Sequence, residues 1–390
     1  MKCVIAPDKF KGCLTAAQVA RAIAAGLRSV DPKIEVDECP MADGGEGTVA
    51  ALVAATGGRL ITRRVTGPLP EMKVDATFGM LGDGTTAVIE MAAASGLDLL
   101  KPGDRNPLYT TTFGTGELLK AAIAEGAKRI VLGIGGSATC DGGIGCAQAC
   151  GHTIILEEGE PVSMTEPLVG NDLNRVVLIK RHRGEATDGV PIIVACDVDN
   201  PLFGPHGAAV IYGPQKGANA VAVKQLDDAL KQLATRMNRL DIAEMPGAGA
   251  AGGLGFGMMA YFGATLRRGV DIVIEAAKLK DRLRGADVCF TGEGCLDGQS
   301  ARGKTAVGVA EVCRGMGLRC IALAGSIGAG AEDVLAHGIT AYFSICDGPM
   351  ALDEAKRRAE GLLAAAASNV LRAIQRVPGE PPPEPSMMTP

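Results

Sequence analysis

Met1-Lys2-Cys3-Val4-Ile5-Ala6-Pro7-Asp8, followed by Lys9-Phe10-Lys11-Gly12-Cys13-Leu14 and then Thr15-Ala16-Ala17-Gln18, is the stretch whose reading decides the fold. Residues 3–6 are a short continuous apolar run, and residues 2–6 together read as a buried strand. Residues 7–14 read as a loop, and Thr15-Ala16-Ala17-Gln18 is a capping box that starts a helix running to about residue 28. Residues 34–39 then read as a second strand. A strand, a crossover helix and another strand make the repeating unit of a parallel sheet.

The same alternation continues outward along the chain. Strands are expected at residues 129–132, 191–196, 286–290, 319–323 and 341–346, several of them followed by Ala-rich helical stretches. This pattern predicts an α/β protein. It breaks once: residues 59–65, 74–78 and 87–90 are strand-like but joined by turns such as Gly67-Pro68 and Gly82-Asp83-Gly84, too short for crossover helices. A mixed or antiparallel sheet, and with it a second domain, is therefore expected to begin near residue 59. A last helix is expected over about 352–375, and the following Glu380-Pro381-Pro382-Pro383-Glu384-Pro385 reads as a disordered tail.

Composition narrows the function. The 390 residues suggest two or three domains at roughly 150 residues each. Glycine, at 54 residues, is about twice its ordinary share, so many backbone positions must be left-handed turns or close approaches. The net charge of −5 and the lack of any Lys/Arg cluster argue against a nucleic-acid partner. No apolar run approaches the ~18 residues of a membrane span, and Met1 to Ala6 meets Pro7-Asp8 too soon for a signal-peptide core, so a cytoplasmic protein is expected. The twelve cysteines form no C-x-x-C pair, and the four histidines have no zinc-ligand spacing. They read as small hydrophobes of a reducing compartment.

In open parallel sheets ligands sit beyond the carboxyl ends of the strands, so the residues after each strand are the ones to inspect. Nearly every such loop carries an acid: Asp8-Lys9, Asp43-Gly44-Gly45-Glu46-Gly47, Gly133-Ile134-Gly135-Gly136-Ser137 leading to Asp141-Gly142-Gly143, Asp197-Val198-Asp199-Asn200, Thr291-Gly292-Glu293-Gly294 and Asp347-Gly348. A single such Asp is commonly a turn former or a helix cap. Six converging on one edge, among glycines whose N–H groups can cradle phosphate, suit Mg²⁺ and a phosphorylated ligand, hence phosphoryl transfer. Gly298-Gln299-Ser300-Ala301-Arg302-Gly303-Lys304-Thr305 fits the P-loop expression, but residues 292–297 stand between the expected strand and Gly298, whereas a true P-loop leaves its strand directly. The glycine block at residues 247–257 reads as a helix start or a hinge between domains.

These loops resemble the bacterial glycerate kinase family of the two-domain type. The resemblance is carried by Ile5-Ala6-Pro7-Asp8 with Phe10-Lys11-Gly12, Ala42-Asp43-Gly44-Gly45-Glu46-Gly47-Thr48, residues 87–97 around Glu90-Met91-Ala92, Asn106-Pro107-Leu108 through Gly114-Thr115-Gly116-Glu117, the 133–143 loop, Cys196-Asp197-Val198-Asp199-Asn200-Pro201-Leu202, and Thr291-Gly292-Glu293-Gly294 with Asp297. The blocks keep family order from residue 3 to about 370. The resemblance implies transfer of the γ-phosphate of ATP, with Mg²⁺, to a hydroxyl of D-glycerate, with 2-phosphoglycerate favoured over 3-phosphoglycerate. It also implies a flavodoxin-like parallel-sheet domain built from residues 1–58 plus 285–376, an inserted α/β domain with a mixed sheet at 59–284, and a disordered tail at 377–390. The sequence departs from the usual family pattern at Lys9 and Cys13, where Ser is common, at Cys140, where Asn is frequent, and at Cys295, where Arg is usual.

Phosphoryl transfer needs in-line positioning, charge neutralisation and a group to orient or deprotonate the attacking hydroxyl. Asp43 and Asp197 are the candidates for general base and metal ligand, without a division between them. Asp8, Lys11, Gly135, Gly136, Ser137, Asp141, Asn200 and Lys304 are candidate contacts to substrate or phosphate, and Glu293 and Asp297 are candidate Mg²⁺ ligands. The expected partners are D-glycerate and ATP, with neither nucleic acid nor membrane, and a homo-oligomer is left open. A P-loop or other small-acid kinase, and a non-catalytic nucleotide or metabolite sensor, are the competing readings.

Overall fold

The computed structural model describes residues 1–375 except 158, 160, 164, 183 and 303, so the expected tail at 377–390 lies outside the described residues. In chain order the strands are β1 (Lys2–Ile5), β2 (Glu35–Glu38), β3 (Arg59–Thr66), β4 (Lys73–Met80), β5 (Thr86–Glu90), β6 (Arg129–Gly133) and β7 (Thr153–Leu156). They continue with β8 (Val176–Lys180), β9 (Ile192–Ala195), β10 (Thr265–Arg267), β11 (Val288–Leu296), β12 (Arg319–Ile327) and β13 (Ala341–Ser344).

Five of them form a wholly parallel sheet in the order β13-β12-β11-β1-β2. Numbered by appearance within that sheet this is 2-1-3-4-5, the flavodoxin-like doubly wound order. The sheet draws its strands from both ends of the chain. The stretch between supplies a six-stranded sheet in the order β10-β9-β6-β5-β4-β3, parallel from β10 to β5 and antiparallel across β4 and β3. The antiparallel part follows from the tight turns expected there, one of them closed by Asp83, whose Oδ1 accepts from Thr85 N and Thr86 N, each at 2.8 Å. The parallel part needs crossovers, and the helix Phe113–Ala124 carries the chain from β5 to β6.

Most of the expected strands fall where the apolar runs lie. The capping box also forms as read: Thr15 N donates to Gln18 Oε1 at 2.9 Å, and Gln18 N returns the bond to Thr15 Oγ1 at 3.3 Å. The helix it starts, Ala16–Val30, packs on the long final helix Leu352–Ile374 along one face of the parallel sheet. Two elements escaped the sequence reading. The β7–β8 ribbon is a separate two-stranded antiparallel pair, and β10 spans only three residues, too short to show a period. A single cluster of buried apolar side chains joins the two large sheets: Val4 and Ala6 from the first, Val88, Val131 and Ala195 from the second, and residues of the helices Thr48–Thr56 and Gly269–Ala276. This shared core holds the carboxyl edges of the two sheets in register with each other.

Candidate active site

The order of the parallel sheet reverses between β1 and β11, which makes the carboxyl ends of these two strands its switch point. Asp8 follows β1 and Glu293 lies towards the carboxyl end of β11. The two are stitched by the hydrogen bond from Asp8 N to Gly292 O at 2.8 Å. Asp8 Oδ1 accepts from its neighbour Lys9 N, and Oδ2 accepts from the Thr305 hydroxyl, both at 2.7 Å. Glu293 is 8% exposed, and its Oε1 is buried without a hydrogen-bond partner among the described residues. Burial pushes its carboxyl up to about 7, the Asp8 and Asp297 charges add to the rise, and the Ser300 hydroxyl and the Lys304 charge oppose it.

The loop after β2 ties this edge to the second sheet. Cys39 N donates to Ile5 O at 2.8 Å and Met41 N to Pro7 O at 2.9 Å, so the chain beyond β2 keeps pace with the chain beyond β1 and delivers Asp43 beside Asp8. Burial, and then the Asp43 charge, raise Asp8 to about 6. The next residue crosses to the other sheet. Gly44 has φ +91°, and a Cβ there would lie 2.8 Å from both the Ala195 Cβ and the Gly269 Cα. A Cβ on Gly269 would in turn lie 1.8 Å from Asp43 O. Only glycine permits this contact of backbone on backbone, which lays the 43–45 turn across the carboxyl ends of β9 and β10. There Gly269 N donates to Asp197 Oδ1 at 2.9 Å. Asp197 is exposed at the cleft; partial desolvation of its carboxyl, with the Asp43 charge, raises it to about 6 against the Gly269 bond. Glu293, Asp8, Asp43 and Asp197 thus form one run of mutually repelling carboxyls from one sheet to the other.

A cavity of about 440 Å³ opens over the second sheet's share of this run, bounded by Asp43, Asp197, the 135–137 turn and Lys216. The backbone N–H groups of Gly135, Gly136 and Ser137 find no protein acceptor among the described residues. Three glycine-rich N–H groups before a helix would form a helix N-terminal anion site, and this turn is not one. The next helix is the short Ile144–Ala149, and the turn is instead held by Leu97 N donating to Gly136 O and Ala138 N to Ser95 O, both at 2.9 Å.

Several other expected site residues take different posts. Asp141 is fully buried away from the cavity, and its carboxylate accepts from Thr112 N and Thr112 Oγ1 at 2.8 Å and from the backbones of Gly143 and Gly145 at 3.1 and 3.3 Å. It organises the loop and does not face a ligand. Asp297 Oδ1 accepts from Gln299 N at 2.8 Å and Ser300 N at 3.2 Å, closing a turn. Asn200 donates to His206 O at 2.8 Å and accepts from the Tyr212 hydroxyl at 2.6 Å, so it sets Tyr212 on the cavity wall. Lys11 is exposed, with its backbone over Gly294. Lys304 precedes the helix Thr305–Gly315 beside Glu293. In the P-loop-like stretch Gly303 lies outside the described residues; β11 runs on to Leu296, further than expected, and Thr305 spends its hydroxyl on Asp8. The 247–257 glycines open the helix Ala250–Phe262, and Gly249 and Gly252 lie close against the Pro201 and Thr139 backbones within the second sheet's own loops. Cys295 is exposed and Lys9 donates to the Glu46 carbonyl.

Sequence reasoning missed Lys216. It is 2% exposed, and its Nζ donates to Ser137 Oγ and Thr139 O, both at 2.7 Å. Burial lowers it to about 8. Nothing in Gly213-Pro214-Gln215-Lys216-Gly217 distinguishes it from a surface turn lysine.

Comparison with known proteins agrees with this architecture. The profile described as the glycerate kinase family matches residues 3–375. A protein of Halalkalibacterium halodurans named glycerate kinase is 47% identical over 371 residues, covering 94% of this chain and 96% of its own. An Escherichia coli protein named glycerate 2-kinase is 44% identical over 375 residues, covering 95% of this chain and 97% of its own. A crystal structure from Salmonella typhimurium LT2 matches with a TM-score of 0.86 at 42% identity, over 96% of this chain and 98% of that one. With the doubly wound sheet, the mixed sheet and the acidic edge already in place, the match over nearly the whole length means that the chain belongs to the glycerate kinase family.

Proposed function

We propose that the chain transfers the γ-phosphoryl group of ATP to the 2-hydroxyl of D-glycerate in the cleft between the two sheets, giving 2-phosphoglycerate. The observation that carries this reading is the run of Glu293, Asp8, Asp43 and Asp197 across facing carboxyl edges, beside a turn with free N–H groups. Residues 1–58 with 285–376, and 59–284, are the two domains whose edges enclose it. Asp43 and Asp197 share the task of orienting and deprotonating the hydroxyl. A carboxyl raised to about 6 is a better proton acceptor than an ordinary one and is still ionised at neutral pH.

The orphaned Oε1 of Glu293 fits a hard cation such as Mg²⁺, with Asp8 as its neighbour, whereas Asp297 has Oδ1 committed to its own turn. Among the described residues no three carboxylates come within ligand spacing of one another. This suits a cation held by one or two carboxylates and by nucleotide oxygens, where it would neutralise phosphate charge. Lys304 supplies a nearby positive charge. We assign the protein to the cytoplasm; no helix among the described residues is long and apolar enough to cross a membrane.

Phosphorus NMR of the products after incubation with Mg-ATP and D-glycerate tests the reading. A 2-phosphoglycerate resonance appearing with ADP is the expected result. A 3-phosphoglycerate resonance would move the acceptor to the other hydroxyl, and no glycerate-dependent ADP would overturn the assignment.

A further inference from the structure

Lys216 is a buried ammonium with no carboxylate partner. Among the described residues it makes no ion pair, and its two acceptors, Ser137 Oγ and Thr139 O, are neutral. Removing an ammonium from water is costly unless its charge is matched, so an unpaired one on a cavity wall calls for an anion. Its surroundings fit. Lys216 reaches the cavity through Ser137, the third residue of the turn whose N–H groups are unpaired, and Gly136 in that turn has φ +72°, the left-handed half of an anion-binding nest. Ala251 on the same wall is held at φ 53°, a left-handed conformation that costs a non-glycine residue free energy and recurs at ligand sites.

We propose that Lys216 and the N–H groups of Gly135, Gly136 and Ser137 together seat a phosphate of the donor nucleotide. Three successive N–H groups and one ammonium make a concave, many-donor site, which suits a tetrahedral group with three free oxygens better than a planar carboxylate with two. Ser137 Oγ and Thr139 O hold the ammonium in place before ligand arrives, so little side-chain freedom is lost on binding. The inference rests on the phosphotransfer reading and names which residues of that site meet the nucleotide.

The test is equilibrium binding of AMP-PNP, a non-hydrolysable ATP analogue, with Mg²⁺ to the full chain, together with separate KM values for ATP and D-glycerate. Lys216→Met is expected to weaken AMP-PNP at least about tenfold and to leave the glycerate KM within about twofold. Ser137→Ala, which keeps the lysine and removes one anchor, is expected to weaken it about threefold, and it carries the test should Lys216→Met not fold. AMP-PNP affinity unchanged in the folded variants, or a loss confined to the glycerate KM, overturns the proposal. A wild-type chain that binds AMP-PNP through Lys216 but shows no glycerate-dependent turnover would refute the proposed reaction while leaving the phosphate seat intact.

Discussion

The tripeptide Asp-Gly-Gly occurs twice, at residues 43–45 and 141–143, and the two copies do opposite things. Asp43 is half-buried at the cleft and takes one short-range bond, from Gly45 N at 3.0 Å. Asp141 has no exposure, and four donors from Thr112, Gly143 and Gly145 saturate it. In both copies the glycines bend the chain in ways a side chain would obstruct. What differs is the company: the 43–45 turn reaches out to a second sheet, and the 141–143 turn folds back on its own. A carboxylate consumed by donors is architecture, and one left with free lone pairs in a cleft is available for chemistry.

The largest effects should come from exchanging these two fates. Asp43→Asn is expected to lower kcat roughly 10³-fold with an unchanged melting temperature, as removal of a general base or its partner does. Asp141→Ala is expected to do the reverse, costing about 2–4 kcal/mol in urea denaturation because its donors lose their acceptor, while the folded fraction keeps its kcat within a few-fold. Equal kinetic losses in both variants would erase the distinction. Next in size is Gly269→Ala, which touches no ligand but places a Cβ 1.8 Å from Asp43 O. It is expected to lower kcat roughly 10²-fold by displacing the turn, read from steady-state rates at matched folded fraction.

The smallest effect is on stability. Glu293 holds a proton up to about 7 when folded, above its ordinary range, and Asp8 and Asp197 do so to about 6. The folded state therefore binds these protons more tightly than the unfolded chain, and stability falls as pH rises from about 4 through these values. Glu293→Gln removes one such group. It should melt higher than wild type at about pH 8, the gap closing towards about pH 4, while losing activity. A variant that melts lower at about pH 8 would mean that Glu293 is structural, like Asp141.

Much of the fold could be read from residues, because it rests on local signals. The apolar run at residues 3–6, the Thr15-Gln18 capping box and the tight turns around Gly67 and Gly82 each report their own neighbourhood. The acids after the strands were legible for the same reason, since parallel strands bring their carboxyl ends to one edge. What stayed hidden depends on contacts between distant segments. Asp141 and Asp43 carry the same letters, and what separates them is chiefly Thr112, arriving from another loop. Lys216 looks like any turn lysine until Ser137 and Thr139 enclose it. Gly269 reveals its purpose only when Asp43 arrives from far along the chain.

A double-mutant cycle between Asp43 and Asp197 asks most directly whether the two sheets build one reacting centre. In glycerate-dependent ADP release, Asp43→Asn combined with Asp197→Asn should be little slower than the worse single variant, because residues that act on one proton transfer fail together. A double variant whose loss equals the product of the two single losses would mean that the carboxylates work independently, and the single centre spanning both sheets would be wrong.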